Sequence, residues 1–326
     1  TIIGIALATQ ELKLNDAIKY LEKSIELSKQ TGDIPALSYE NTYLAWTYQL
    51  LGDLDAPKKM ANELIPILEE KQSWYTLCVP YNLLASVFCD EANAESANKW
   101  SRKAYECAEK LDDPFTKSWG NLAIGHYCLE KGRLDEAEKK LVIALDHAKN
   151  IQLHVGIETC LTSLIKLHLR KEENNASLKY VHELHDFIER TGGLLIFLGP
   201  CLALGGEVYL HLGKLDKTLE CLEGALNYKI PYLEGYCFRI FGEYYREVRP
   251  IDFNASQAWY QKALQSHDRI GMRLELARDF FSYGEMLKRK GAQNEAEKYF
   301  NKALVTFRDF GAAWDIHQVE EAMKGF

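Results

Sequence analysis

Small residues recur along this 326-residue chain at a period close to 40. With Ala137 as the register mark, equivalent positions fall at Ala17, Ala56, Ala97, Ala137, Ala176, Thr218, Ser256 and Ala296, spaced by 39, 41, 40, 39, 42, 38 and 40. Seven residues after the mark, small side chains return at Ser24, Ala104, Ala144, Ala225, Ala263 and Ala303. Twelve residues before it stand Ala85, Gly125, Gly206 and Gly284. Seven residues are two α-helical turns, so both small residues share one helix face. A glycine inside a helix costs roughly 1 kcal/mol against alanine. Its return at one place in the repeat therefore predicts that a neighbouring helix approaches closely there.

Apolar residues recur at intervals of three and four, with no sustained alternation, which argues for helices and against strands. A repeat of this length buries its apolar face only by stacking on its neighbours. The expectation is one all-α solenoid domain over 1–326, built from about eight helix-turn-helix units. Their bounds are approximately 1–32, 33–72, 73–112, 113–151, 152–192, 193–231, 232–271 and 272–311. Residues 312–326 (AAWDIHQVEEAMKGF) read as a capping helix, because a terminal repeat has no neighbour to cover its outer face. Three units depart from the pattern. Pro66 falls inside the second helix of unit two, where a kink or early end is expected. Unit five lacks most of the small residues, and the turn of unit seven, with Pro250, is about two residues longer than the others.

Composition excludes several functions. A formal charge of −8 gives no support for direct nucleic-acid binding, which needs basic surface. No apolar run is long enough to span a membrane. The chain starts at Thr1, without Met and inside a helical pattern, so it reads as a piece of a longer protein. The closest pair of its eight cysteines is 11 residues apart, which leaves no C-x-x-C pair and predicts a reduced, cytoplasmic setting. No phosphate-binding loop, nucleophile elbow or H-E-x-x-H motif is present. His182 and His185 stand three apart without a third ligand nearby and read as a solvated pair. The expectation is a chain with no catalytic residues, no metal and no cofactor.

The offsets of Gly125, Ala137 and Ala144 resemble those of the tetratricopeptide repeat, as do Gly206, Thr218 and Ala225, and Gly284, Ala296 and Ala303. Tyr48 and Tyr209 suit its aromatic position. The period near 40 is similar to that of the longer-helix variety in kinesin light chains, in bacterial signal-transduction ATPases and nucleotide cyclases, and in large transcription activators. The resemblance implies a right-handed superhelix whose first helices line a concave groove for peptides or protein segments. It implies a non-catalytic binding scaffold or adaptor, the regulatory part of a larger protein. The alternative is the sensor module of a signal-transduction ATPase, cyclase or transcription activator.

Placing groove positions at −3, +1, +4 and +5 from the glycine selects candidate contacts. Unit three gives Asn82, Ser86, Cys89 and Asp90, and unit four gives Leu122, His126, Leu129 and Glu130. Unit five gives Leu161, Ile165, His168 and Leu169, and unit six gives Ala203, Glu207, Leu210 and His211. Units seven and eight contribute Arg239, Arg246, Lys288 and Arg289, with Arg278 one turn earlier. An arginine cluster can hold carboxylates through paired N–H donors, so the C-terminal groove is expected to receive an acidic peptide segment. The competing expectation is that these arginines pair with Glu243, Glu247 and Glu285. Trp46, with Tyr43 one turn before it, and Tyr236 are the aromatic anchor candidates.

Overall fold

A computed structural model describes residues 1–192 and 194–324. Gly193, the first residue assigned to unit six, and Gly325 and Phe326 of the capping segment lie outside the described residues. The described chain is helical throughout, and its helices alternate as first and second members of eight pairs. The first helices are α1 (Ile2–Thr9), α3 (Ile34–Leu50), α5 (Trp74–Asp90), α7 (Pro114–Glu130), α9 (His154–Arg170), α11 (Leu198–His211), α13 (Pro231–Glu247) and α15 (Arg273–Lys290). The second helices are α2 (Leu14–Thr31), α4 (Asp55–Glu70), α6 (Ala94–Leu111), α8 (Leu134–Asn150), α10 (Asn174–Thr191), α12 (Leu215–Leu226), α14 (Phe253–Ile270) and α16 (Gln293–Phe310). The last helix, α17, is Ala313–Met323, and a single 3₁₀ turn, Leu195–Phe197, precedes α11.

The repeat has a direct steric cause. A Cβ on Gly125 would lie 2.9 Å from Leu141 Cγ, and one on Gly206 would lie 3.0 Å from Leu222 Cδ2. On Gly242 it would lie 2.9 Å from the Tyr260 ring, and on Gly284 2.6 Å from Phe300 Cε1. Each partner sits four residues after the mark, and Leu141, Leu222, Tyr260 and Phe300 are all fully buried. The glycine is the notch into which the second helix sets its largest core side chain.

Burial moves the register by one residue in two units. Ala56 and Ala176 are only half-buried, whereas their neighbours Pro57 and Ser177 are buried. Ser177 Oγ donates to the Ile165 carbonyl at 2.9 Å, as Ser256 Oγ does to the Gly242 carbonyl at 2.7 Å. With Pro57 and Ser177 as marks, the first four spacings are all 40. Pro66 does not end its helix, because α4 continues to Glu70. Pro66 and Asn62 are both exposed, so water can reach the Asn62 carbonyl that lacks an N–H partner.

After about five units the superhelix meets itself. α3 packs against α13, α5 against α15, and α1 against the 3₁₀ turn. At the next step the turn after α7 meets α17, where the Ala313 N–H donates to the Lys131 carbonyl at 3.1 Å. A Cβ on Gly52 would lie 2.9 Å from Ile270 Cγ1, so backbone and side chain touch across this seam as well. The concave face is thereby turned inward.

Candidate functional site

The inward face encloses a cavity of about 260 Å³. Its walls are first helices. Trp46 and Gln49 come from α3, Asn82, Ser86 and Asp90 from α5, and Trp119, Leu122, His126 and Glu130 from α7. The α9 helix adds Thr159, Thr162 and Lys166, and the 3₁₀ turn and α11 add Ile196, Phe197 and Leu204. Tyr232 and Tyr236 of α13 and Glu275 and Arg278 of α15 close the far side. One part is apolar and aromatic, with Trp46 and Trp119 5.9 Å apart between ring centroids. Parallel first helices put equivalent offsets at one level, so Trp46, Ser86, His126 and Lys166 form a layer.

The charged side of the cavity is the seam. Glu130 accepts from Arg170 at 2.8 Å and from Arg278 at 2.6 Å. Arg278 also reaches Asp315 at 3.0 Å and Glu275 at 2.5 Å. Arg239 donates to Glu275 at 2.7 Å and to Asp279 at 2.9 Å, and His267 Nδ1 lies 2.6 Å from the other Asp279 oxygen. Six helices (α7, α9, α13, α14, α15 and α17) are tied by this one network. Burial by itself raises the Glu130 carboxyl, but Arg170, Arg278 and His126 override it and hold it well below the usual carboxylate range. Arg239 and Arg278 do the same to Glu275. Burial pushes the His126 imidazole down to about 4, so it is neutral at pH 7. Burial pushes Asp90 up to about 7, opposed by the Tyr232 hydroxyl, which donates to it at 2.7 Å. Gln49 Nε2 donates to the same carboxylate at 3.3 Å.

The residues singled out from sequence divide into three groups. Trp46, Asn82, Ser86, His126, Glu130, Tyr236 and Arg278 lie on the cavity wall. Tyr43 lies behind Trp46, edge-on at 5.4 Å, and Glu207 accepts a hydrogen bond from the Tyr236 hydroxyl. The remaining five need correction. His168 points away from the cavity: its Nδ1 lies 2.6 Å from Glu173 and its ring stacks on Tyr180 at 5.3 Å. The one-residue shift in unit five explains this, since the concave positions become Thr162, Lys166, Leu169 and Arg170. Arg239 is 5% exposed and committed to Glu275 and Asp279. Arg246 lies 3.6 Å from Glu247, Arg289 pairs with Glu247 at 2.6 Å, and Lys288 donates to the Ala322 carbonyl. The expected cationic arginines are thus met by the chain's own carboxylates, Arg246 and Arg289 by Glu247, as the competing expectation had it, and Arg239 and Arg278 chiefly by partners from other units, while Lys288 meets a backbone carbonyl.

Sequence reasoning missed Lys166, Trp119 and Tyr232 as lining residues. The unit-five register would have yielded the first. Among the described residues His185, Asp186 and Glu189 form one surface group whose ligand atoms lie within 4.8 Å, and His182 is not part of it. All eight cysteines are free thiols and seven are buried. No helix among the described residues is long and apolar enough to cross a membrane.

No family model matches the chain, and no curated protein matches it by sequence. Solved structures do. A Rap protein complexed with competence and sporulation factor aligns over 92% of this chain and 88% of its own, at 12% identity and a TM-score of 0.63. The Rap conjugation gene regulator of the plasmid pLS20, in complex with the Phr* peptide, aligns over 92% and 79%, at 14% identity and a TM-score of 0.62. A signal transduction ATPase with a tetratricopeptide repeat sensor from Pyrococcus horikoshii aligns over 98% of this chain and 53% of its own, at 15% identity and a TM-score of 0.48. The chain shares the helical-repeat, α-solenoid fold of these proteins, which is of the tetratricopeptide type.

Proposed function

We propose that this chain is a non-catalytic regulatory module that takes a peptide or protein segment into the cavity enclosed by its first helices. The observation that carries this reading is the cavity itself. It combines an aromatic wall at Trp46 and Trp119 with polar side chains at Asn82, Ser86 and Lys166 that the fold does not use. Such a wall suits a mixed apolar and polar ligand. The cavity's carboxylates are ion-paired or, at Asp90, held by Tyr232 and Gln49, and none faces a nucleophile with a general base beside it. Two solved proteins of similar fold were captured with Phr* peptide and with competence and sporulation factor, which is support by analogy of fold. The expected preference for acidic segments does not follow from Arg239, Arg246 or Arg289, which are already paired. The unpaired thiols suit a reducing, cytoplasmic setting.

The test is capture from a peptide digest on immobilised protein, with bound peptides identified by mass spectrometry. Trp46→Arg, which fills the cavity with a charged side chain, should release at least ten-fold more of the retained peptide than wild type. Retention that is indifferent to Trp46→Arg would place binding elsewhere.

A further inference from the structure

The first helices α3, α5, α7 and α9 begin at Ile34, Trp74, Pro114 and His154, a spacing of 40 each time. The next is due at Leu194. Instead α11 begins at Leu198 and has 14 residues where those four have 17. The missing turn is the segment Leu194–Phe197, with Leu194 extended (φ −75°, ψ 111°) and the rest a 3₁₀ turn. Proline alone does not cause this. Pro200 stands where α5 carries Pro80, three periods earlier, and α5 runs unbroken through Pro80. What differs is the residue before it, Gly199 in the place of Tyr39, Val79, Trp119 and Thr159. Glycine weakens a helix beside a residue that already lacks its N–H. The segment therefore has an accessible alternative, the helical turn that its four counterparts form.

The same segment is part of the cavity, because Ile196 and Phe197 line its wall. Little holds it there. The ion-pair network that ties α7, α9, α13, α14, α15 and α17 does not include it. It packs on α1 across the seam, and the Leu194 N–H donates to Glu158 Oε1 at 3.1 Å. Glu158 is fully buried, and its Oε2 has no partner among the described residues. A buried unpaired oxygen disfavours the closed arrangement, since water satisfies it once the segment lifts. Burial pushes this carboxyl up to about 8, opposed in part by the Leu194 N–H. Upstream, α10 ends at Gly192, where φ is +59° and nothing lies within 4 Å of the place a Cβ would take, so the chain has room to turn.

We infer that Leu194–Phe197 is a gate in the cavity wall, latched by the bond from the Leu194 N–H to Glu158, whose opening admits a ligand to Trp46 and Trp119. Opening moves a single turn and leaves the charged network in place, as small entry segments do on otherwise rigid scaffolds. The inference rests on the reading of the cavity as a ligand site, and its test uses no peptide.

The experiment combines amide hydrogen exchange with acrylamide, a small neutral quencher, on the full chain. Leu194→Pro removes the latch donor, and the φ of −75° at this position already suits proline. Leu194→Ala trims the side chain but keeps the N–H, so it is the control. In Leu194→Pro the amides of residues 195–197 should exchange at least ten-fold faster than in wild type, while those of α10 and α11 and the Tm hold. Acrylamide should quench Trp46 at least two-fold more efficiently, the Trp46 signal being the difference from the same chain with Trp46→Phe. Leu194→Ala should leave both readouts near wild type. If Leu194→Pro does not fold, Glu158→Leu removes the acceptor instead and carries the same expectation. Faster exchange with unchanged quenching overturns the gate. Unchanged exchange overturns the latch, as do equal effects of Leu194→Ala and Leu194→Pro. None of these outcomes touches peptide capture, which the Trp46→Arg comparison decides separately.

Discussion

Two kinds of helix contact hold this chain, and they differ in nearly every physical respect. Within five of the pairs, a glycine of the first helix receives one large side chain of the second, as Gly284 receives Phe300. The contact is dry, apolar, local in sequence, and repeated. At the seam, Glu130 meets Arg278 across 148 residues and Asp90 meets Tyr232 across 142. That contact is charged, distant in sequence, and made once. The first kind builds each unit and sets its stacking. The second brings one superhelical turn against the next and so creates an inside. A cavity with unpartnered groups exists only because the seam closes it.

The comparison breaks most readily at Arg278. Arg278→Met leaves Asp315 without its arginine and Glu130 with Arg170 as its one arginine, all within a buried network. Breaking a buried pair by removing one member costs about 3–5 kcal/mol, and urea unfolding should show a loss of that order. Small-angle scattering should show a larger radius of gyration if the seam also sets the closure. A loss under about 1 kcal/mol would mean that the apolar seam contacts, such as Gly52 against Ile270, suffice.

The pair contacts are tested by Gly284→Ala. The new Cβ falls 2.6 Å from Phe300 Cε1, and Phe300 is fully buried, so the ring must move. Overpacking costs about 1–3 kcal/mol, against a helix-propensity gain of about 1 kcal/mol. A net loss of about 1 kcal/mol in chemical denaturation is expected, with no change in radius. Gly205→Ala is the control, since its nearest neighbour, Val181 Cγ1, would be 3.3 Å away. It should be neutral or slightly stabilising, and equal losses at the two sites would refute the notch argument.

Asp90 sharpens the seam side of the comparison through pH. Its folded-state carboxyl is pushed up to about 7, whereas an unfolded Asp titrates near about 4. Between those values the folded state holds a proton that the unfolded state has released. The group's contribution to stability therefore falls as pH rises through that window. Asp90→Asn has no proton to lose and can still accept from Tyr232. Relative to wild type it should gain stability steadily between pH 4 and pH 7, the window in which only the unfolded wild type has released this proton. A difference that stays flat with pH would show that Asp90 is ionised throughout.

The same contrast explains what was legible in the sequence. Eight units, the long turn at Pro250 and the closing helix could be read, because each pair contact repeats and leaves a periodic trace. Lys166 was lost to a finer problem. Ala176 and Ser177 are both small, and smallness does not say which of two neighbours is buried. The Ser177 bond to the Ile165 carbonyl decides it, and that bond exists only in three dimensions. The arginines at 239, 246, 278 and 289 were correctly placed on first helices, but their partners were not foreseeable. Asp279 and Glu275 reach Arg239 from the next unit, and Glu130 reaches Arg278 from one superhelical turn away. Contacts made once leave no period to read.

The smallest expected effect completes the contrast, because it concerns a residue that looked equivalent to Arg278 in the sequence. Arg289 pairs with Glu247 at 2.6 Å, but both side chains are more than a third exposed or close to it, at 35% and 38%. Water and salt screen such a pair, and ordering two long side chains offsets most of what remains. Arg289→Ala should therefore change stability by less than about 0.5 kcal/mol. The change should vanish in 0.5 M salt, whereas the loss from Arg278→Met should persist there, because its partners lie out of reach of counterions. If Arg289→Ala instead cost as much as Arg278→Met, burial would not be what separates the two arginines. The seam would then have to be redrawn to include the outer ends of α13 and α15.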